Sequence, residues 1–327
     1  MQKPDAEKIL AHVEHIKEQP WLTKSQQWWP DYLFHFTDIL NAVKILNDGV
    51  MFSRLQLEKN KELITDIASK KVIESTDLKW KNHVRLYFRP RTPTQYNNEG
   101  FRPKDQRKLE SHCQIPVFFI FDAKSILTNQ ETLFSDGNLA AGARIGETSN
   151  FFLSLPFEKI YHDRGISEGE KRNIIFHRHA EVIIPKSLDL SNLKLIWCRS
   201  QAEFETLLHL LPSKIRKKWQ NKIGVGSKPI LFYANWTFII KVDLSISSIS
   251  FTFNPSFPSG PFDAKLEVVD INTKNVYVRN KKDFYAKETL SFDLPNMSEP
   301  IHYTVKFLLD DHLAYQNSFF EKLETPF

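Results

Sequence analysis

The stretch Tyr32-Leu33-Phe34-His35-Phe36-Thr37-Asp38-Ile39-Leu40-Asn41-Ala42-Val43-Lys44-Ile45-Leu46-Asn47-Asp48-Gly49 changes its period partway along. Up to Thr37 it reads as a short strand. From Ile39 onward, Ile39, Ala42, Val43 and Leu46 recur at helical spacing and form one apolar stripe. Asp38 stands where a side-chain oxygen caps the first N–H groups of a helix. Gly49 stands where a left-handed residue lets the chain leave one. A strand feeding directly into a capped helix predicts a mixed α+β unit.

Working outward, residues 5–17 read as a helix, with Ile9, Leu10, Val13 and Ile16 on one face, and Trp21, Trp28 and Trp29 follow. Residues 53–82 are polar and charged and read as helix plus loop. Strands are expected at Val84–Phe88, Ile115–Phe121, Phe151–Leu155, Ile174–Ile184 and Leu193–Cys198, with long loops between them. Residues 200–211 form an amphipathic helix in which Ser200 and Glu203 spell a capping box. Lys214–Lys228 reads as a basic linker. Beyond it the pattern is strands only, from Ile230–Leu244 to Ile301–Leu309, which predicts a β-sandwich of about 100 residues. The expected domains are a helical extension over 1–30, a catalytic domain over 31–213, a linker over 214–228 and a β-sandwich over 229–327.

The chain has 327 residues, 41% apolar and 25% charged, which is the profile of a soluble globular protein. Its 26 Phe and 7 Trp point to large aromatic cores. Two cysteines, Cys113 and Cys198, make neither a disulfide framework nor a zinc motif, so a reducing compartment is expected. The N-terminus lacks an apolar signal region and no 18-residue apolar run occurs, so a cytoplasmic location without membrane contact is expected. The net charge of +5 is unevenly spread. Residues 1–228 hold 35 Lys and Arg against 27 Asp and Glu; residues 229–327 hold 9 against 12. Only the first part has an electrostatic reason to meet a polyanion. The Rossmann and P-loop fingerprints are both missing, so a nucleotide bound here would be held differently.

Four segments, in order, resemble the DarT family of DNA ADP-ribosyltransferase toxins. His35-Phe36-Thr37 followed by Asn41 is similar to its H-x-T and Asn. Leu86-Tyr87-Phe88-Arg89-Pro90-Arg91-Thr92-Pro93 is similar to F-Y-F-x-P-R-S-P. Phe134-Ser135-Asp136-Gly137-Asn138 is similar to T-D-G-N, and Arg178-His179-Ala180-Glu181-Val182-Ile183-Ile184-Pro185 to R-x-A-E-hydrophobic-P. The resemblance spans about residues 31–210 and leaves the β-rich region unexplained.

That resemblance implies an enzyme which breaks the nicotinamide–ribose bond of NAD⁺ through an oxocarbenium-like state, as in glycoside hydrolysis. Glu181 and Arg91 are the expected catalytic residues. Glu181 would hold the ribose hydroxyl and take a proton from the acceptor. Arg91 would pair with a phosphate or polarise a base carbonyl. His35, Thr37, Asn41, Arg54, Tyr87, Asp136 and Asn138 are the expected NAD⁺-binding residues. Read as a strand, 174–184 puts His177, His179 and Glu181 on one face. Three such ligands on a flat strand do not converge on one ion, so no metal is expected. The flanking prolines predict an extended Arg91, with Arg89 pointing the other way.

From Lys79 to Lys108 there are nine basic residues against two acidic ones, interleaved with Tyr87, Phe88, Tyr96 and Phe101. Charge for phosphates and rings for stacking suit single-stranded nucleic acid. Arg89, Tyr96, Arg102 and Lys104 are the expected contacts. The family implies thymidine in single-stranded DNA. Thr92 and Thr94-Gln95-Tyr96 depart from its pattern, which leaves open the adenine in mRNA that CmdT-like relatives modify. A protein-directed ADP-ribosyltransferase and a non-enzymatic binding module are the competing readings. A second basic cluster occurs at Lys214–Lys218. The weakly acidic β region points to a protein partner, such as an antitoxin or regulator.

Overall fold

The computed structural model describes residues 1–60, 78–107, 112–226, 230–256, 258–287 and 289–322. Two units emerge. One comprises Met1–Asn97, Phe118–Ile196 and Ile230–Phe232; the other comprises Asn98–Val117, Trp197–Pro229 and Tyr233–Phe327. Part of the polar 53–82 stretch, Lys108 and Lys228 lie outside the described residues.

The first unit is built on strands β1 (Tyr32–Asp38), β2 (His83–Tyr87), β3 (Pro116–Asp122), β4 (Leu133–Ser135), β5 (Ile145–Gly146), β6 (Glu181–Pro185) and β7 (Leu193–Cys198). They follow the order β7-β3-β1-β2-β6-β4-β5. β3 is an inner strand and reads Pro-Val-Phe-Phe-Ile-Phe without a polar break, because both its faces are buried. β1 runs into the helix Ile39–Asp48 as its change of period predicts. Asp38 Oδ1 accepts from Leu40 N at 3.0 Å, and Gly49 closes the helix at φ 70°. The N-terminal helix Ala6–Lys17 buries Ile9, Val13 and Ile16.

One expected strand is a helix instead, and another is a strand only in its second half. Residues Ser149–Leu153 form a helix whose N-cap, Thr148, accepts from Phe151 N at 3.1 Å. Phe152 packs into a ring cluster with Phe88, Phe134 and Phe157. The stretch 174–184 divides into the tail of the helix Lys171–His177, a turn, and β6. A short apolar run has the same signature in a strand and in a buried helix, and here capping and packing decide.

In the second unit the strands Ile239–Leu244, Ser248–Phe253 and Thr289–Asp293 make one antiparallel sheet. Val276–Phe284, Phe262–Asp270, His302–Leu309 and His312–Phe320 make another, in that order. Their inner faces share one apolar core, with Phe251 and Phe307 stacked at 4.6 Å. This is the expected sandwich, although its first strand begins at Ile239 rather than Ile230. The last strand, His312–Phe320, was not anticipated. It returns through Asp310-Asp311, both at positive φ (50° and 64°), with Leu309 facing His312; that is the geometry of a tight two-residue hairpin turn. The outer strand Val276–Phe284 is exposed almost throughout and carries Arg279, Lys281 and Lys282.

The helix Gln201–Leu210 starts as read, with Ser200 accepting from Glu203 N. The stretch read as a basic linker carries a helix, Ser213–Trp219, anchored by buried Trp219, and a short strand, Ile223–Val225. The chain is thus α+β: a mixed α/β unit, and antiparallel β-sheets toward the C-terminus.

Candidate active site

β2 is the hub of the site. Its register sets Tyr87 beside Phe34 of β1 on one side and beside Glu181 of β6 on the other. Glu181 is the first residue of β6 and is 5% exposed. Its Oε2 is buried without a hydrogen-bond partner. Arg85 Nη1 lies 3.7 Å away, close enough for attraction and too far for a hydrogen bond. Burial pushes the Glu181 carboxyl above the ordinary carboxylate range, against the opposing pull of Arg85 and the Tyr87 hydroxyl. Burial, and then the Glu181 charge, raise the Tyr87 phenol, so it remains a protonated donor. A buried carboxylate oxygen lacking a donor is rare in proteins and suits a ligand hydroxyl.

His35 lies one residue beyond Phe34 on β1. Its Nδ1 is 3.2 Å from the Arg85 carbonyl. A carbonyl only accepts, so Nδ1 carries the proton and Nε2 presents a lone pair. Burial lowers the ring to about 4, which keeps it neutral at pH 7. Asn41 Nδ2 donates to Thr37 Oγ1 at 3.3 Å, joining the strand end to the first turn of the helix. His35, Thr37, Tyr87 and Glu181 are therefore carried by neighbouring strands, and Asn41 by the helix that follows β1. Arg54 begins the helix Arg54–Asn60 and pairs with Glu58 at 2.6 Å.

Arg91 differs from its expected shape. It is not extended: its φ is 58°, in the left-handed region. The prolines restrict the residues just before them, not Arg91 itself. Its N–H donates to Gln95 Oε1 at 2.8 Å, and Gln95 Nε2 donates to the Leu231 carbonyl. Its Nη1 donates to Asp163 Oδ2 at 2.8 Å. Arg89 does not point outward to phosphate. Its side chain is wholly buried and sits over the Trp29 ring. It donates to the carbonyls of Pro90, Ile160 and His162 and to the Asp163 carboxylate. Burying a guanidinium requires that many acceptors, and they leave it facing inward.

The turn after β4 is largely occupied by its own structure. Asp136 holds Arg144 through both carboxylate oxygens, and Asn138 caps a short 3-10 turn by accepting from Ala140 N. Gly137 is required here: a Cβ would stand 2.3 Å from the Phe176 ring. Ser135 donates to the Gly137 carbonyl and accepts from Glu181 N, both at 2.9 Å, and so ties the turn to the head of β6.

The single-face reading of His177, His179 and Glu181 fails, because a helix end and a turn precede Glu181. His177 Nδ1 donates to the Asp136 carbonyl at 2.5 Å. His179 Nδ1 donates to the Ile175 carbonyl, and its Nε2 accepts from Thr94 Oγ1 at 3.2 Å. That last bond stitches the segment after Arg91 to the residues before Glu181. Among the described residues, no group of three or more His, Cys, Asp or Glu is arranged to hold a metal. No described helix is long and apolar enough to cross a membrane.

Of the expected nucleic-acid contacts, Tyr96 is exposed on the first unit. Arg102 and Lys104 belong to the second unit. There Arg102 is buried with its guanidinium 3.9 Å above the Trp236 ring, and Lys104 pairs with Asp263 at 3.0 Å. Arg85, Ser135 and Asp163 were not foreseen at the site. Arg85 is two residues before Tyr87 on one strand, so alternation could have found it. Asp163 lies 72 residues from Arg91, and no local pattern links them.

A family model described as ssDNA thymidine ADP-ribosyltransferase, DarT, matches residues 34–238, more than half of the chain. No curated protein sequence matches. Among solved structures, DarT of Thermus sp. 2.9 in complex with ADP-ribosylated ssDNA is 18% identical, with 62% of this chain and 97% of that chain covered and a TM-score of 0.50. The same protein in complex with NAD⁺ is 17% identical, with 62% and 98% covered and a TM-score of 0.47. Thermosipho africanus DarTG in complex with ADP-ribose is 18% identical, with 66% of this chain and 53% of that chain covered and a TM-score of 0.45. At 18% identity the first of these likenesses speaks to fold.

Proposed function

The chain belongs to the DarT family of ssDNA thymidine ADP-ribosyltransferases, and from that premise we propose that Glu181 and Arg91 transfer ADP-ribose from NAD⁺ to thymidine in single-stranded DNA. The observation that carries the assignment of Glu181 is its buried Oε2 at the head of β6, which has an arginine at 3.7 Å and no hydrogen-bond partner. A ribose hydroxyl donating to that oxygen would satisfy a buried acceptor. His35 Nε2 accepts a second sugar hydroxyl, and Thr37 and Asn41 hold the same side of the ligand.

The reaction then divides among these groups. The bond between the nicotinamide nitrogen and the ribose carbon breaks, and its electron pair leaves with nicotinamide. Negative charge on Glu181 stabilises the positive charge that grows on the sugar. A ring nitrogen of the base forms the new bond, and its proton passes to Glu181. Arg91 faces the developing charge on the base carbonyl. A single strand offers the base without the few kcal/mol that flipping it from a duplex costs. Asp136, Asn138 and Arg54 have structural partners and serve the NAD⁺ site from its rim. A toxin role, with a neutralising partner, is the biological context that fits this chemistry.

The test is incubation of the purified chain with NAD⁺ and separate random pools of single-stranded DNA and RNA, followed by mass spectrometry of the nucleosides. One ADP-ribosyl group on thymidine is expected. Modified adenosine from the RNA pool, or label on protein alone, would replace the thymidine reading. Full activity in Glu181→Ala would remove the site assignment.

A further inference from the structure

We propose that Asp163 is the positioning residue for Arg91. The inference rests on the reading that Arg91 acts in the transfer.

Asp163 meets two arginines through different oxygens, Arg89 Nη2 at Oδ1 and Arg91 Nη1 at Oδ2. The two arginines have unlike needs. The Arg89 side chain is wholly buried and requires a counter-charge. It also donates to the carbonyls of Pro90, Ile160 and His162, so it welds the 160–163 loop to the chain just before Arg91. The Arg91 side chain is 28% exposed. Water would solvate it, and an ion pair that open adds little to stability.

What the Asp163–Arg91 bond supplies is orientation. Arg91 has a left-handed backbone that its surroundings must hold in place. Gln95 pins its N–H and Asp163 pins the far end of its side chain. The loop that carries Asp163 is in turn held to the β6 side, because Arg178 Nη2 lies 2.9 Å from His162 Nδ1. Arg178 stands three residues before Glu181. Arg89 thus aims Asp163, and Asp163 aims Arg91. This chain has Arg89 at the position its family motif leaves open, so the clamp belongs to the residues of this sequence.

The experiment uses the full chain, NAD⁺ and a thymidine-containing single-stranded oligonucleotide. Asp163→Asn is measured alone and in an Arg89→Met background, where no buried charge is stranded. Arg91→Ala and the Arg91→Ala/Asp163→Asn double variant complete the set. Loss of orientation predicts a fall in kcat of about 10–100-fold for Asp163→Asn in both backgrounds, with KM for NAD⁺ nearly unchanged. The double variant should be no slower than Arg91→Ala alone. Parental kcat in Arg89→Met/Asp163→Asn overturns the proposal, as do effects that multiply in the double variant. If Arg91→Ala keeps the parental rate, the assignment of Arg91 itself fails, and Asp163 loses its role with it.

Discussion

Two buried glutamates, one in each unit, have the same apparent fault: an Oε2 without a hydrogen-bond partner. Their surroundings differ. Glu203 sits in a closed cage. Its Oε1 receives Arg199 Nε and Nη2, and Arg199 is also tied to Glu99 Oε1, the Gln114 carbonyl and the face of Phe238. Glu181 has no such cage; its nearest guanidinium stands off at 3.7 Å. Glu203 has a full set of donors on one oxygen; Glu181 has an ion pair at arm's length, and the proposed ligand would supply the missing donor. Burial alone does not make that distinction.

The largest effect that could break this comparison is catalytic. Glu181→Gln keeps the shape and removes the base, so kcat should fall about 10³-fold. The thermal midpoint should stay or rise, since a desolvated charge is lost. A variant that unfolds would show that Glu181 is structural after all. Next in size, Arg199→Met should destabilise the second unit by about 3–5 kcal/mol in denaturant titrations, because it removes the donors of Glu203 and leaves Glu99 to its backbone donors.

The pH dependences sharpen the contrast. Glu181 must be ionised to act, and its carboxyl is raised by burial. Activity should therefore fall as pH drops through a midpoint above the usual carboxylate range. His35, lowered to about 4, should contribute no limb between pH 5 and 8. For Glu203 the quantity to follow is stability. Burial pushes its carboxyl up to about 7, so the folded state holds the proton that the unfolded chain has released. That contribution is fully present below about 4.5, the unfolded value, and is lost as pH rises through 7. Denaturation midpoints at pH 5 and pH 8 should differ in the parent and converge in Glu203→Gln. Smallest of all, Ser135→Ala removes the acceptor for Glu181 N and should cost about 1–2 kcal/mol, with a modest loss of rate.

The sequence made parts of this legible and hid others. The change of period at Asp38 gave a strand and a capped helix that the structure contains almost to the residue. The Tyr87–Glu181 pairing was half visible, since both lie in strands, but their shared rung depends on a register between residues 94 positions apart. Phe151–Leu155 and the start of 174–184 misled because three or four apolar residues carry no period of their own. Arg89 misled for another reason. A cation in a basic, aromatic stretch looks like a phosphate contact, and only Trp29, Ile160 and His162, distant in sequence, reveal it as buried. The hairpin return at Asp310-Asp311 lacked the glycine that usually announces such a turn.

The rim of the sandwich has a consequence for how copies of this chain behave toward each other. Val276–Phe284 is nine residues long and ends its sheet, so its outward amide groups are of the kind that recruit a neighbouring molecule's strand. Arg279, Lys281 and Lys282 set like charges along that border, and two copies approaching edge to edge repel before their backbones meet. Replacing the two lysines with threonine should leave the fold intact and turn a concentrated solution toward fibrils.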